Sequence, residues 1–431
     1  MTFQTQATAL TAAVLLLCPC LATTALAQPA SLQPLTLYSF PNPSGSISGV
    51  VHGANGVLYG TTHFGGAIGR GSAFALTPPR HGSAWTGKTI ASFTSDSFPN
   101  GAIYNNGNLY TTTLGVGSTR YGSVVELTPP ATGSTWTQVI LHDFTYNSST
   151  PTDGAEPQSP PVIGKNGVLY GTTAYGGIDD VGTAFELTPP AAPGGAWTEK
   201  VIHQFTDNAD GGFPSGALAI GTNGVLYGAT TAGASPACLF GCGTVFELVP
   251  PSTPGGTWTL RTIYSFMGGM DGDGPYAGLA MGAKGVLYGA TQYGGTGSCP
   301  GDPAGLIGCG AVFELTPPAA PGAGWTEQVI YTFMGGPDGA NPTAVLAVGN
   351  GGVLYGATPS GGISSLGTLF SLTPPASPGG TWTEAVYSFT GLNGDGSSPA
   401  GGLTLGANGV LFGATSRGGV SGNGTLFQVT P

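Results

Sequence analysis

One phrase recurs seven times along the chain, and a repeat of that length leaves few folds open. The phrase is G-V-L-Y-G-[TA]-T, with its aromatic residue at Tyr59, Tyr110, Tyr170, Tyr227, Tyr288, Tyr355 and Phe412. Successive copies lie 51, 60, 57, 61, 67 and 57 residues apart. A second phrase, G-[TS]-x-F-x-L-T-P, follows each copy, with Phe74, Phe185, Phe246, Phe313, Phe370 and Phe427, and with Val125 in the second copy. A third begins at Trp85, Trp136, Trp197, Trp258, Trp325 and Trp382 and ends on Phe seven or eight residues later, so all six tryptophans share one role.

Each unit holds four short apolar runs. Around Tyr288 they are Trp258–Phe266, Ala277–Met281, Val286–Thr291 and Ala311–Thr316. Runs of five to nine residues bounded by Gly, Pro and Asn predict strands. Asn55-Gly56, Asn166-Gly167, Asn223-Gly224 and Asn408-Gly409 join the second run to the third and suit the positive φ angles of tight hairpins. In the L-Y-G strand both alternating faces are apolar or glycine, whereas a sheet with one wet face would alternate. Each sheet is therefore expected to be covered on both sides by like neighbours.

Four-stranded units repeated radially are propeller blades. The expected fold is all-β: a seven-bladed propeller of four-stranded antiparallel blades. The ends predict how the ring closes. Residues 35–40 (LTLYSF) match the strand that ends a unit, while the chain stops at Thr425–Thr430, the strand that normally precedes it. The N-terminal strand 35–40 should pair with the last blade and remove both sheet edges, which are aggregation liabilities.

Composition fits many short strands. Gly (78) and Pro (36) make up about a quarter of 431 residues, yet 40% of the chain is hydrophobic and only 7% charged, unlike a disordered chain. With 9 Lys plus Arg and a formal net charge of −11, no basic patch can form, which argues against nucleic-acid or anionic-membrane partners. Residues 1–27 read as a signal peptide, with an apolar core at Ala9–Leu17 and a small-x-small site at Ala25-Leu26-Ala27; no Lys or Arg precedes Arg70 to supply the usual positive n-region. Leu17 and Pro19, which precede Cys18 and Cys20, do not suit lipoprotein processing. The expected organisation is a signal peptide at 1–27, a leader at 28–34 and one propeller domain at 35–431. A secreted or periplasmic monomer without a membrane span follows.

The phrases LYSF, DG, NGVLYGTT, GG and GTVFELTP, in that order, resemble the Gloeobacter–Verrucomicrobia (GloVer) tandem repeat over nearly all of residues 35–431. The resemblance implies an exported bacterial surface protein and no particular reaction. Relatives often carry a C-terminal anchoring tail; here Pro431 ends the last repeat, so release from the cell is expected.

Candidate chemistry is sparse. Cys238, Cys242, Cys299 and Cys309 occupy matched places in consecutive repeats, and in an exported protein they predict disulfides. Three connectivities are possible; the parallel placement favours Cys238–Cys242 and Cys299–Cys309, and C-x3-C with C-x9-C is not a standard zinc spacing. The tryptophans are expected to be interior contacts. Asp/Gly loops recur at Asp153 and Glu156, Asp207 and Asp210, Asp271 and Asp273, Asp338, and Asn393 with Asp395. They suit turns, with calcium as the alternative and no other cofactor expected.

In a propeller those loops share one face with the Gly-rich loops that carry Phe64, Tyr175 and Tyr293, so a ligand such as a glycan or a cell-surface protein is expected there. His142 and His203 align with Tyr38, Tyr264, Tyr331 and Tyr387. His52 stands where the other units have Ile103, Ile163, Ile220, Met281, Val348 and Leu405, and His63 lies on the loop face. Both are weak candidates for a general base; no nucleophile elbow, phosphate loop or zinc motif is present, and no catalytic residue is assigned. Binding or scaffolding through the loop face is the leading expectation. A carbohydrate-active lyase or hydrolase and calcium-dependent surface adhesion are the alternatives.

Overall fold

The computed structural model describes residues 32–41, 47–80, 84–93, 98–115, 121–133, 135–145, 153–192, 194–233, 235, 238, 241–253, 255–299, 308–320, 323–377, 379–392 and 394–431. The signal-peptide assignment at 1–27, His81 and Asn393 lie outside these residues. Seven four-stranded antiparallel sheets follow one another along the chain and form a seven-bladed ring. Blade 5, for example, runs Ala280–Met281, Leu287–Thr291, Ala311–Thr316 and Thr326–Thr332 from its inner to its outer strand. Blades 1 to 6 are built this way in chain order.

Blade 7 is composite, as the sequence predicts. Its three C-terminal strands are Gly396–Leu405, Leu411–Gly418 and Thr425–Val429, and its outer strand is Leu35–Ser39. Leu35 pairs with Gln428, Thr36 with Phe427 and Ser39 with Thr425, so the first strand closes the last sheet.

Two rings of aromatic contacts hold the blades face to face. The phenylalanine that ends each outer strand meets the G-[TS]-x-F phenylalanine of the next blade: Phe144 meets Phe185, Phe205 meets Phe246, Phe266 meets Phe313 and Phe333 meets Phe370, at 5.1–5.3 Å between ring centres. Phe389–Phe427 (5.6 Å) and Phe40–Phe74 (5.1 Å) carry this ring through the composite blade. The L-Y-G aromatic of each blade likewise meets the next blade's tryptophan, from Tyr59–Trp136 (5.5 Å) round to Phe412–Trp85 (6.3 Å). Tyr355 has no tryptophan ahead of it in blade 7, and Leu32 packs there instead. The tryptophans are thus interior contacts.

Departures from the repeat have local causes. The glycine of L-Y-G lies opposite that blade's phenylalanine, as Gly289 does opposite Phe313, and a Cβ there would sit 2.3 Å from the ring. Blade 2 has Thr111 opposite Val125: without the large ring, the glycine is not needed. Outer strands whose Phe lies eight positions after the Trp carry a bulge, as at Val312/Phe313, whereas the strand from Trp382 to Phe389, with an offset of seven, pairs without one. The Asn-Gly hairpins turn as predicted, with Asn55 at φ 57° and Gly56 at φ 74°. One alignment is corrected. Strand pairing puts Tyr104, opposite Leu109, at the position of His52, opposite Leu58, so Ile103 is not its equivalent. The short inner strand of blade 2 turns one residue earlier than the others.

Candidate functional site

The entry loops of blades 2 to 7 are each docked on the blade before by an X-Pro pair. In Phe98-Pro99, Glu156-Pro157, Phe213-Pro214, Gly274-Pro275, Asn341-Pro342 and Ser398-Pro399 the first residue has a positive φ of 42–63°. That conformation is costly before proline, and two features hold it. The residue's N–H donates to the previous blade, as Phe213 does to Val181 (2.7 Å) and Gly274 to Cys242 (3.1 Å). Each proline ring also lies where a Cβ on the opposing glycine would clash, as Pro275 does on Gly243 (2.6 Å). The proline is invariant across the six repeats, while the preceding side chain changes from Phe to Glu, Gly, Asn and Ser.

The Gly-rich loops between second and third strands rise beside these entry loops. A threonine at the end of the second strand sets the loop in every blade but the second, where the Thr113 hydroxyl has no partner among the described residues. Thr173 donates to the carbonyl of Tyr175 and Thr291 to that of Tyr293, both at 2.9 Å. The two loop sets are bridged strand-fashion: Gly154–Ala155 pairs with Tyr175–Gly176, Gly212 with Ala232, and Asp273 with Tyr293. They share one face, as expected.

On that face, blades 3, 4 and 5 border an open cavity of about 390 Å³ lined by Tyr175, Phe213, Tyr276 and Tyr293, with Asp273, Gln292 and Thr231 among its polar lining. This volume falls in the range of small-molecule sites. Tyr175 and Phe213 meet edge to face at 5.5 Å. Tyr175 and Tyr276 remain about 40% exposed, so their rings are available to a ligand. Asp273 is only 6% exposed, and burial followed by the neighbouring Asp271 charge raises its pKa to about 6.

Tyr175, Tyr293 and Asp273 were legible as candidates; Phe213 and Tyr276 were not. The missed signal is the X-Pro position, where side-chain chemistry varies around a constant proline.

The disulfides flank this site and pair locally, Cys238 with Cys242 and Cys299 with Cys309. Each packs against a glycine after the outer strand of its own blade. A Cβ on Gly268 would lie 2.7 Å from the Cys238 sulfur, and one on Gly335 would lie 2.6 Å from that of Cys309. The Met-Gly-Gly sequences at 267–269 and 334–336 thus accompany the cysteines for a steric reason. Since the Cys242 carbonyl holds Gly274, the first staple also braces one wall of the cavity.

The other sequence candidates do different work. Asp210, Asp271, Asp338 and Asp395 fold their loops back onto the outer strand. Their carboxylates accept from His203 or from the Tyr264, Tyr331 and Tyr387 hydroxyls at 3.1–3.3 Å. Backbone N–H groups of Met267, Met334 and Thr390 also donate to the last three. Asp153 does the same near His142 (3.5 Å). Oxygen atoms spent on such donors serve a turn, which is the first of the two expected roles. His63 and Phe64 lie with Phe98 in a separate aromatic group over blades 1 and 2, and burial lowers the His63 pKa. His52 packs edge on against Phe412 in the seam between blades 7 and 1, and burial lowers its pKa too.

Glutamates from the next blade complete three of these seams. Glu199, Glu327 and Glu384 face Asp153, Asp271 and Asp338 respectively, and burial followed by the aspartate charge, with the Tyr331 hydrogen bond opposing it at Glu384, raises each to about 7. Tyr264 lies 3.1 Å from Asp271 and 3.4 Å from Glu327 and can donate to only one at a time. Below pH 4.5 folded and unfolded chains both hold these glutamate protons, so no penalty arises. Between pH 4.5 and 7 the unfolded chain releases them first, and stability falls. Screening by solvent leaves on the order of 1 kcal/mol per site. Thermal melts should therefore show a higher Tm at about pH 5 than at about pH 8, and the triple variant Glu199→Gln, Glu327→Gln, Glu384→Gln should flatten that difference. An unchanged slope in the variant would remove these seams as its cause. Asp153, where burial is outweighed by the His142 ring and the Thr145 and Gly154 N–H groups, is lowered and acts oppositely, only below about pH 3.8.

Fold and site together define a closed seven-bladed propeller with an aromatic-lined cavity on its loop face. The chain belongs to the Gloeobacter/Verrucomicrobia repeat family, whose model matches residues 98–319 and 302–431. A sequence search among curated proteins returns no match. Among solved structures, the chain is similar to a Thermus thermophilus protein described as an oxidoreductase (glucose dehydrogenase), at 15% identity and a TM-score of 0.44 over 93% of this chain and all of that one. It is also similar to a Bacteroides uniformis protein described as a 6-phosphogluconolactonase, at 12% identity and a TM-score of 0.48 over 81% and 87% of the two chains.

Proposed function

We propose that the protein is an exported binding module whose ligand enters the loop-face cavity between blades 3, 4 and 5. One observation carries this reading: loops from three separate blades converge four aromatic rings and a buried carboxylate on a single cavity. Asp153, Asp210, Asp271, Asp338 and Asp395, the tryptophans and the two disulfides are occupied in holding the ring and its loops. That leaves this cavity as the place where side chains outrun structural need. A glycan is the second ligand class, since Tyr175 and Tyr276 present exposed ring faces on which a sugar can stack. Two disulfides suit an oxidising compartment, the cell exterior or periplasm.

A small-molecule and glycan array, run with and without EDTA, tests the reading. Tyr276→Ala and Tyr175→Ala should each weaken any hit about tenfold or more, the scale of a lost aromatic contact with its buried area. Phe64→Ala, over blades 1 and 2 and outside the cavity, should leave it unchanged. A hit indifferent to Tyr276→Ala places binding elsewhere. Steady turnover of a polysaccharide would replace this reading with the enzyme, and EDTA-sensitive binding would favour calcium-dependent adhesion.

A further inference from the structure

We infer that the cavity's ligand is a small organic cation bearing an alkylated ammonium group, seated among Tyr175, Phe213, Tyr276 and Tyr293 with Asp273 as counter-charge. This deepens the binding reading above and rests on it. Aromatic rings carry negative faces, and several around one cavity attract a cation that is too weakly hydrated to resist leaving water. The cavity supplies four such rings from three blades.

Its charge points the same way. Asp273 is more than nine-tenths buried, and none of the ion pairs among the described residues gives it a cationic partner. The sulfurs of Cys238 and Cys242 lie within 4.8 Å of its carboxylate, and a disulfide has no proton to donate. Asp271 adds a second negative charge nearby, and one of its oxygens is itself buried without a partner. No Lys or Arg lines the cavity. A buried carboxylate left unpaired is costly, and a ligand cation removes that cost.

A neutral sugar would leave Asp273 to accept one hydroxyl. It would also need a rim of further polar partners, but the Thr231 hydroxyl already donates to the Phe213 carbonyl (3.0 Å). Gln292 is the one side-chain amide in the lining. Rings around a negative pole fit a quaternary ammonium better than a hydroxylated ring.

Calorimetric titration of the folded chain tests this with choline, with the neutral isostere that has carbon in place of its nitrogen, and with glucose. Flotation with phosphatidylcholine and phosphatidylglycerol vesicles adds a second arm. Choline should bind about tenfold or more tighter than its isostere, the scale of a desolvated cation–π contact. Asp273→Asn should cut that preference several-fold, leaving the part the rings supply, while keeping the isostere's affinity, which also shows that the variant is folded. Tyr276→Ala should weaken both. Capture by phosphatidylcholine alone would name a lipid headgroup as the source, and binding of free choline without capture would name a soluble cation; both outcomes support the inference. Equal affinity for choline and isostere, glucose binding in preference to choline, or an unchanged preference in Asp273→Asn would overturn it. The glucose result would leave the broader binding reading standing.

Discussion

A chain that begins at Pro41 is expected to lose the cooperative unfolding of the intact ring and to associate through blade 7. The truncation removes the strand Leu35–Ser39 and exposes the edge of Thr425–Val429, a ready template for another chain. It also deletes Phe40, which is buried against Phe74, together with Leu37 and Tyr38 in the same cluster. A buried Phe to Ala change alone typically costs about 3–5 kcal/mol. Loss of the whole strand exceeds that and approaches the roughly 5–15 kcal/mol that holds a domain together. Urea titration with size-exclusion chromatography checks this, using a chain that begins at Gln28 for comparison. An unchanged midpoint in a monomeric truncation would mean that the strand contributes nothing to closure.

The second large effect is expected at Gly289. Gly289→Thr should destabilise the protein by about 2–4 kcal/mol, because the new Cβ would fall 2.3 Å from the Phe313 ring. Phe313→Val should cost a similar amount through the void it leaves. The double variant reproduces the pairing that blade 2 already has in Thr111 and Val125. It should be less destabilised than the sum of the singles by about 1.5 kcal/mol or more, the mark of residues in direct contact. A strictly additive cycle would show that the glycine is there for another reason.

Most of the architecture was legible because each repeat states the same constraints again. The L-Y-G tyrosines, the tryptophans and the G-[TS]-x-F phenylalanines recur in step, and residues that recur in step pack against a fixed recurring partner one blade on. The N-terminal LYSF gave away ring closure for the same reason. The two disulfides followed from cysteines at matched places in neighbouring repeats.

The site was only half legible, and the reason is physical. Repetition reveals what every blade needs, whereas a site on one sector depends on what only three blades supply. Asp210, Asp271, Asp338 and Asp395 recur because each carboxylate staples its loop to the outer strand, the turn role their Asp/Gly setting suggests. Tyr175 and Tyr293 could be found from the glycines that follow them. Phe213 and Tyr276 could not, because their place beside the X-Pro pair becomes visible only when the entry loops are seen crossing to the previous blade. The contact by which burial and the Asp271 charge raise the Glu327 pKa also lies between blades, where no spacing within one repeat can report it.

Everything said about the loop face depends on the first and last strands sharing blade 7. Leu35 and Gln428 are cross-strand neighbours, and paired positions in antiparallel strands lie within the Cα separation a disulfide can span. Leu35→Cys with Gln428→Cys, oxidised in the folded protein, should therefore form an intramolecular disulfide in near-quantitative yield, detected by mass spectrometry after proteolysis. Leu35→Cys with Ser371→Cys, the matching position in blade 6, should not. Absence of the 35–428 link, or its formation only between two molecules, would contradict a ring closed by its own first strand.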